Sequence, residues 1–307
     1  IIVNSKHKYV LKISNPEESK DLLDLQDHVL KNLSKRISLK KYIPKRIHSS
    51  IKTYTDLKNR KCYVRILSYI HGKMYASVKP SSLLEISLGT LLGNLSKELQ
   101  NINKPSAFRK FEWDPSDIKW IAKEVNIFKG KQKKIILRNL EEHNIFVIKN
   151  LNFLRFSLTH GDANNYNLVV NNNKVSGLLD YGDMIYAPTI NDLAVSLSYS
   201  LMNKDDIFTS LKNLICSFHN IFHITFDEIY SLMSLVKARL TITVVMAEKQ
   251  RKKFPNNKYL SISEKDAWKL LHKLDLINPY LFIFLIRQFC KYPITKNYES
   301  INKFLKE

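Results

Sequence analysis

Residues 154–186 read LRFSLTHGDANNYNLVVNNNKVSGLLDYGDMIY, a succession of strand, polar loop, strand, Asn-rich turn, strand and loop. Leu168-Val169-Val170 and the run from Val175 to Leu179 flank Asn171-Asn172-Asn173. Asn tolerates positive φ, so the two apolar runs predict a hairpin. With the turn centred on residues 172 and 173, position 167 falls opposite about 178. Asn167 and Asp180 then meet at the open end of the hairpin, and Asp162 sits in the loop that feeds the same end. Three oxygen-bearing side chains gathered at one point suit a hard divalent cation carrying bound phosphates.

Working outward, the run from His7 to Ser14 (HKYVLKIS) alternates as a strand does, with Tyr9, Leu11 and Ile13 on one face and Val10 and Lys12 on the other. Asn15-Pro16-Glu17-Glu18 predicts a helix start, running to about Ser34. A second strand spans Cys62 to Ile70 and closes at His71-Gly72-Lys73. From Ser81 the apolar spacing turns helical. Residues 116–150 predict two helices broken near Lys129-Gly130-Lys131, and residues 190–290 several more with short loops. The fold class is α+β in two lobes: a small β-rich lobe over 1–75 and a large helical lobe over 76–307. Only a few residues precede the first strand and no glycine precedes Gly72, so no phosphate-covering loop is visible. The β-rich lobe is expected to be incomplete, in a chain shortened at its amino terminus.

His160-Gly161-Asp162, Asn167 five residues after that Asp, and Asp180 after the next strand give the order HGDxxxxN…DYGD. This resembles the catalytic loop and metal-binding Asp of the aminoglycoside phosphotransferase and choline kinase family, whose fold is protein-kinase-like. The resemblance implies a catalytic loop at 160–167 and a metal-binding segment at 180–183. By it, Asp162 accepts the proton of a substrate hydroxyl, while Asn167 and Asp180 hold Mg²⁺. Lys12 resembles the strand lysine that grips the nucleotide phosphates. The base of ATP or GTP is expected near Leu67 to Ile70, with Ser68 and Ile70 beside it. His160 is expected to orient the loop, Asp183 to support the site or meet a cationic substrate, and Asp192 to be a structural acid at a helix start. The acid that pairs with Lys12 stays open among Glu17, Glu18, Asp24 and Asp27.

No room follows Asp180 for the long activation segment of protein kinases, which argues against a protein substrate. LDLQDHVL, VRILSYIHGK, FEWD, LLDYGDMIYAPTINDLA and KARLTITV resemble the hydroxylysine-kinase-like branch, over about residues 8 to 290. That branch implies a small amino-alcohol or hydroxy amino acid such as 5-hydroxy-L-lysine as acceptor, with Arg239 as a candidate for its carboxylate. The alternative is a catalytically weak or inactive nucleotide-binding relative.

Lys and Arg number 49 against 28 Asp and Glu, a net charge of +21, but they are spread along the whole chain. Nucleic-acid binding would call for clustering on one face. A metal-dependent hydrolase would call for more His and acidic ligands than this loop offers. Cys62, Cys216 and Cys290 lack metal-site spacing and make no disulfide framework, which predicts a reduced, cytoplasmic setting. Lys237 and Arg239, and then Arg287, interrupt the longest apolar runs, so neither a membrane partner nor a specific nucleic-acid partner is expected.

Overall fold

The computed structural model describes residues 2–3, 8–48, 51–253, 263–293 and 303. Its first sheet joins β1 (Ile2–Val3), β2 (Lys8–Ile13), β3 (Lys52–Thr55) and β4 (Lys61–Ser68) in the order β1-β2-β4-β3, every neighbour antiparallel. Residues 4–7, where the strand was expected to begin, fall outside the described residues. Alternation along β2 divides it as expected. Leu11 and Ile13 are exposed, while Val10 and Lys12 face the cleft beneath the sheet.

Helix α1 (Lys20–Leu33) lies against this sheet and starts four residues later than the sequence suggested. Asn15 caps a turn instead, accepting from the Glu17 amide, and Ser19 is the helix cap, accepting from Asp21. Pro16 fits the turn as well as it would have fitted a helix, and a local pattern does not tell the two apart.

After Ser68 the chain crosses through Tyr69–Gly72 and joins a second sheet at β5 (Lys73–Met74). Gly72 is required at the crossing, since a Cβ there would lie 2.4 Å from the Val170 carbonyl oxygen. The helical body follows: α2 (Ser82–Leu99), capped by Ser81, and α3 (Gly130–Phe146). The first of the two helices expected over 116–150 is instead a series of 3₁₀ turns at 119–123 and 125–127.

Strand β6 (Phe156–Thr159) leads into the polar loop, and β7 (Leu168–Asn171) and β8 (Lys174–Leu178) form the expected hairpin. Asn172 and Asn173 both take positive φ at its turn. A bulge between Val169 and Val170 shifts the register by one, so Leu168 faces Leu178 and Asn167 receives the Leu179 amide at 2.7 Å. Strand β9 (Ile185–Pro188), not foreseen, pairs with β6 and ties the segment after Asp180 to the strand before the loop.

Helices α4 (Asn191–Ser200), α5 (Ile207–His219), α6 (Phe226–Lys253), α7 (Glu264–Asp275) and α8 (Pro279–Phe289) complete the body. Helix α6 is long and apolar enough to cross a membrane by length and composition, yet 94% of that window is buried inside the protein. Its apolarity is spent on the core. Its two interior cations are paired, Lys237 with Glu142 at 2.7 Å and Arg239 with Asp162 at 2.6 Å, as buried charges require.

Candidate active site

The loop between β6 and β7 is held from below by Asp192, in the first turn of α4. Its two carboxylate oxygens accept the backbone amides of His160 at 2.9 Å and Gly161 at 3.0 Å. Asp192 is buried, and the loss of solvation pushes its carboxyl up to about 6 even against those two amides. Gly161 has φ +78°, and a Cβ there would meet the Asp183 carbonyl oxygen at 2.3 Å. No other residue lets the two segments approach so closely.

His160 is fully buried. Its Nε2 lies 3.0 Å from the Leu179 carbonyl and its Nδ1 accepts the Asp162 amide at 3.3 Å. Burial pushes its imidazole down to about 4, so the ring is neutral, with Nε2 as donor. It is a strut between the loop and the end of the hairpin.

Asp162 emerges with both oxygens engaged. Oδ1 accepts Arg239 Nη2 at 2.6 Å, Oδ2 accepts Asn167 Nδ2 at 2.7 Å, and Asn164 Nδ2 is 2.9 Å from each. Burial raises its carboxyl, opposed first by the Arg239 guanidinium and then by the Asn164 amide. Asp180 takes left-handed backbone at φ 59° and forms an ion pair with Lys12, 2.8 Å from Nζ to Oδ1. Burial opposes ionisation of Asp180, but the Lys12 charge and hydrogen bond outweigh it and hold the carboxyl below the usual range. A cavity of about 300 Å³ lies between the two sheets. Lys12, Ser68, Ile70, Asn167 and Asp180 all line it, so the structure brings the five nucleotide and metal candidates to one cleft.

A profile of the phosphotransferase enzyme family matches residues 1–209 of the 307. The chain belongs to that family. Hydroxylysine kinase from Xenopus laevis is 29% identical over 290 residues, covering 87% of this chain and 78% of that protein. Hydroxylysine kinase from Mus musculus is 27% identical over 296 residues, covering 87% and 77%. Among solved structures, a microcompartment-associated aminopropanol kinase aligns with a TM-score of 0.65 at 13% identity, over 97% of this chain and 88% of that one. An amicoumacin kinase, solved with AMP-PNP, Ca²⁺ and Ami, aligns at 0.64 and 13%, over 90% and 85%. At these identities the structures establish the fold, which is kinase-like, with a small antiparallel first lobe and a mostly helical second. The chain is therefore a small-molecule phosphotransferase acting on a hydroxyl group.

Within this phosphotransferase Lys12 pairs with Asp180, and among the described residues none of the candidate partners Glu17, Glu18, Asp24 and Asp27 forms an ion pair with it. Glu18 accepts from Gln26 Nε2, and Asp27 pairs with Arg46 and, at 3.6 Å, with Arg65, while Asp21 and Asp24 line a separate hollow with His28. Arg65 stands opposite Lys12 on β4, is buried, and donates to Gln26 Oε1 at 2.8 Å. Beside the loop, Asp183 is pushed up to about 6, first by burial and then by the neighbouring Asp162. Arg239 is buried against Asp162 rather than open to a ligand.

Sequence reasoning missed Arg109 and Trp113. Arg109 donates to the carbonyls of Gly182 and Met184 at 3.3 Å and so braces the segment after Asp180. Trp113 stacks its ring on the Arg239 guanidinium at 4.7 Å. The FEWD stretch was noticed, but nothing in it says which distant residue its ring would meet.

Proposed function

We propose that the protein transfers the terminal phosphoryl group of ATP or GTP to the hydroxyl of a small amino-alcohol or hydroxy amino acid of the 5-hydroxy-L-lysine kind. The observation that carries this reading is the convergence of Lys12, Asn167 and Asp180 on one cavity whose floor adjoins the Asp162 loop. Asp162 acts as the base. The hydroxyl proton passes to its carboxylate as the hydroxyl oxygen bonds to the γ-phosphorus. The bond from that phosphorus to the β–γ bridging oxygen breaks, its electron pair leaving with the nucleoside diphosphate.

Asn167 and Asp180 would hold Mg²⁺, which when bound neutralises phosphate charge. Among the described residues no group of three His, Cys, Asp or Glu side chains could cage a metal. Mg²⁺ usually takes one or two protein oxygens and completes its shell with water and phosphate. Lys12 contributes a point charge to the phosphates, and Ser68 and Ile70 border the space for the base. Asp183, a partly desolvated carboxylate beside Asp162, supplies the contact for an acceptor ammonium. The identity of the hydroxylysine kinases as relatives supports that acceptor class.

The test is a ³¹P NMR product analysis with Mg²⁺ and either ATP or GTP. It is run against 5-hydroxy-L-lysine, homoserine, ethanolamine, choline and an aminoglycoside. A phosphate ester formed on 5-hydroxy-L-lysine is expected. Product on the aminoglycoside alone would contradict the acceptor class. Nucleotide binding without product on any compound would favour the weak or inactive relative.

A further inference from the structure

Of the donors to the Asp162 carboxylate, Asn164 and Asn167 lie two and five residues away on the same loop and travel with it. Among the described residues, Arg239 is the side-chain tie between that carboxylate and the helical body. It stands on α6, is 3% exposed, and is itself fixed. Nη1 donates to the Trp113 carbonyl at 2.9 Å, and the guanidinium lies 4.7 Å from the Trp113 ring and 5.7 Å from the Tyr199 ring. A planar cation stacked on a ring and bonded to that residue's own carbonyl has little freedom to turn. Its Nη2 therefore points in one direction, toward Asp162 Oδ1.

Retaining a guanidinium in the core costs solvation that Nη1 and Nη2 only partly recover, because Nε has no hydrogen-bond partner. A packing residue of similar volume would avoid that cost, so the charge has a use at its far end. Asp180 and Asp183 place further negative charge around Asp162, and the Arg239 guanidinium offsets it.

We propose that Arg239, clamped by Trp113, is the positioning residue of the base, fixing the Asp162 carboxylate to the helical body so that it meets the incoming hydroxyl in line. This rests on the reading of Asp162 as base. The test is a double-mutant cycle of Arg239→Lys with Asp162→Asn. It is run with 5-hydroxy-L-lysine or the compound of the panel that gives product, and kcat, acceptor KM and nucleotide affinity are measured for each variant. Lysine keeps the charge but loses the two-donor fork. Arg239→Lys is expected to lower kcat by about 10²-fold, the usual penalty for a catalytic group displaced by an ångström, with nucleotide affinity unchanged. In the Asp162→Asn background the same change should cost less than about threefold, because residues that act as one unit are not additive.

An equal loss of kcat in both backgrounds would overturn the proposal while leaving Asp162 in place as base. Wild-type turnover in Asp162→Asn alone would remove the base reading and the proposal with it. Arg239→Met serves as the second variant. If it does not fold, the lysine cycle carries the test alone.

Discussion

The two ends of the cleft are built on different terms. At the catalytic-loop end, His160 and Asp192 are buried, and the side chains of His160, Asp162 and Asp192 all find partners within the protein. At the nucleotide end, Lys12 is one-third exposed and Asp180 more than half exposed, and they satisfy each other across the two lobes. In the first, donors from Arg239, Asn164 and Asn167 fix the Asp162 carboxylate, as in-line transfer would ask of the proposed base. In the second, Lys12 and Asp180, which we propose meet the magnesium nucleotide, are paired with each other. On the proposed reading, preorganisation is concentrated where the proton moves, and exchangeable pairing where charge is admitted and released.

This contrast breaks first at Asp192. Asp192→Ala strips the buried amides of His160 and Gly161 of their acceptor, at about 1–3 kcal/mol for each group left unpaired. A loss of about 2–6 kcal/mol in urea unfolding is expected, with turnover falling at the same time. A loss under 0.5 kcal/mol would mean that the loop is not held from below.

Lys12→Met probes the other end. Removing a charged hydrogen bond to phosphate should raise the nucleotide KM by about 10- to 10²-fold. Folding stability should change by less than about 1 kcal/mol, since an exposed pair contributes little. A large loss of stability with intact nucleotide affinity would reverse the assignment.

The smallest effect is a pH dependence. His143, buried and bonded to the Pro115 carbonyl, is pushed down to about 4, as His160 is. Each unfolds to a group titrating near 6.5, so between about 6.5 and 4 the unfolded chain binds protons that the native chain refuses. The stability they contribute is present above 6.5 and is lost as pH falls toward 4. Asp183 and Asp192, raised to about 6, act in the opposite sense below that pH. In His143→Gln the fall in stability between pH 7 and 5 should therefore be shallower by about 1–2 kcal/mol than in wild type. An unchanged fall would show that His143 is not held neutral.

What the sequence disclosed follows the same division by range. His160, Asp162, Asn167 and Asp180 lie within 21 residues, and the hairpin that joins them has its own turn chemistry, so their convergence was legible. The one-residue register error came from a bulge, which leaves no compositional mark. Strand β9 ends in Pro188 and does not alternate, and only its pairing with β6 makes it a strand. Arg239 meets Asp162 across 77 residues and Trp113 across 126, and no periodicity encodes such a meeting. Asp192 was legible as a helix-start acid but not as the acceptor for the loop, because its partners are backbone amides and any residues could supply them.

The measurement that tests the central claim most directly is single-turnover phosphoryl transfer to 5-hydroxy-L-lysine by wild type and Asp162→Asn, with Mg²⁺-nucleotide affinity measured in parallel. The account predicts a loss of about 10²- to 10⁴-fold in the transfer rate, with nucleotide affinity nearly unchanged. A transfer rate within threefold of wild type (about 0.7 kcal/mol) would contradict it.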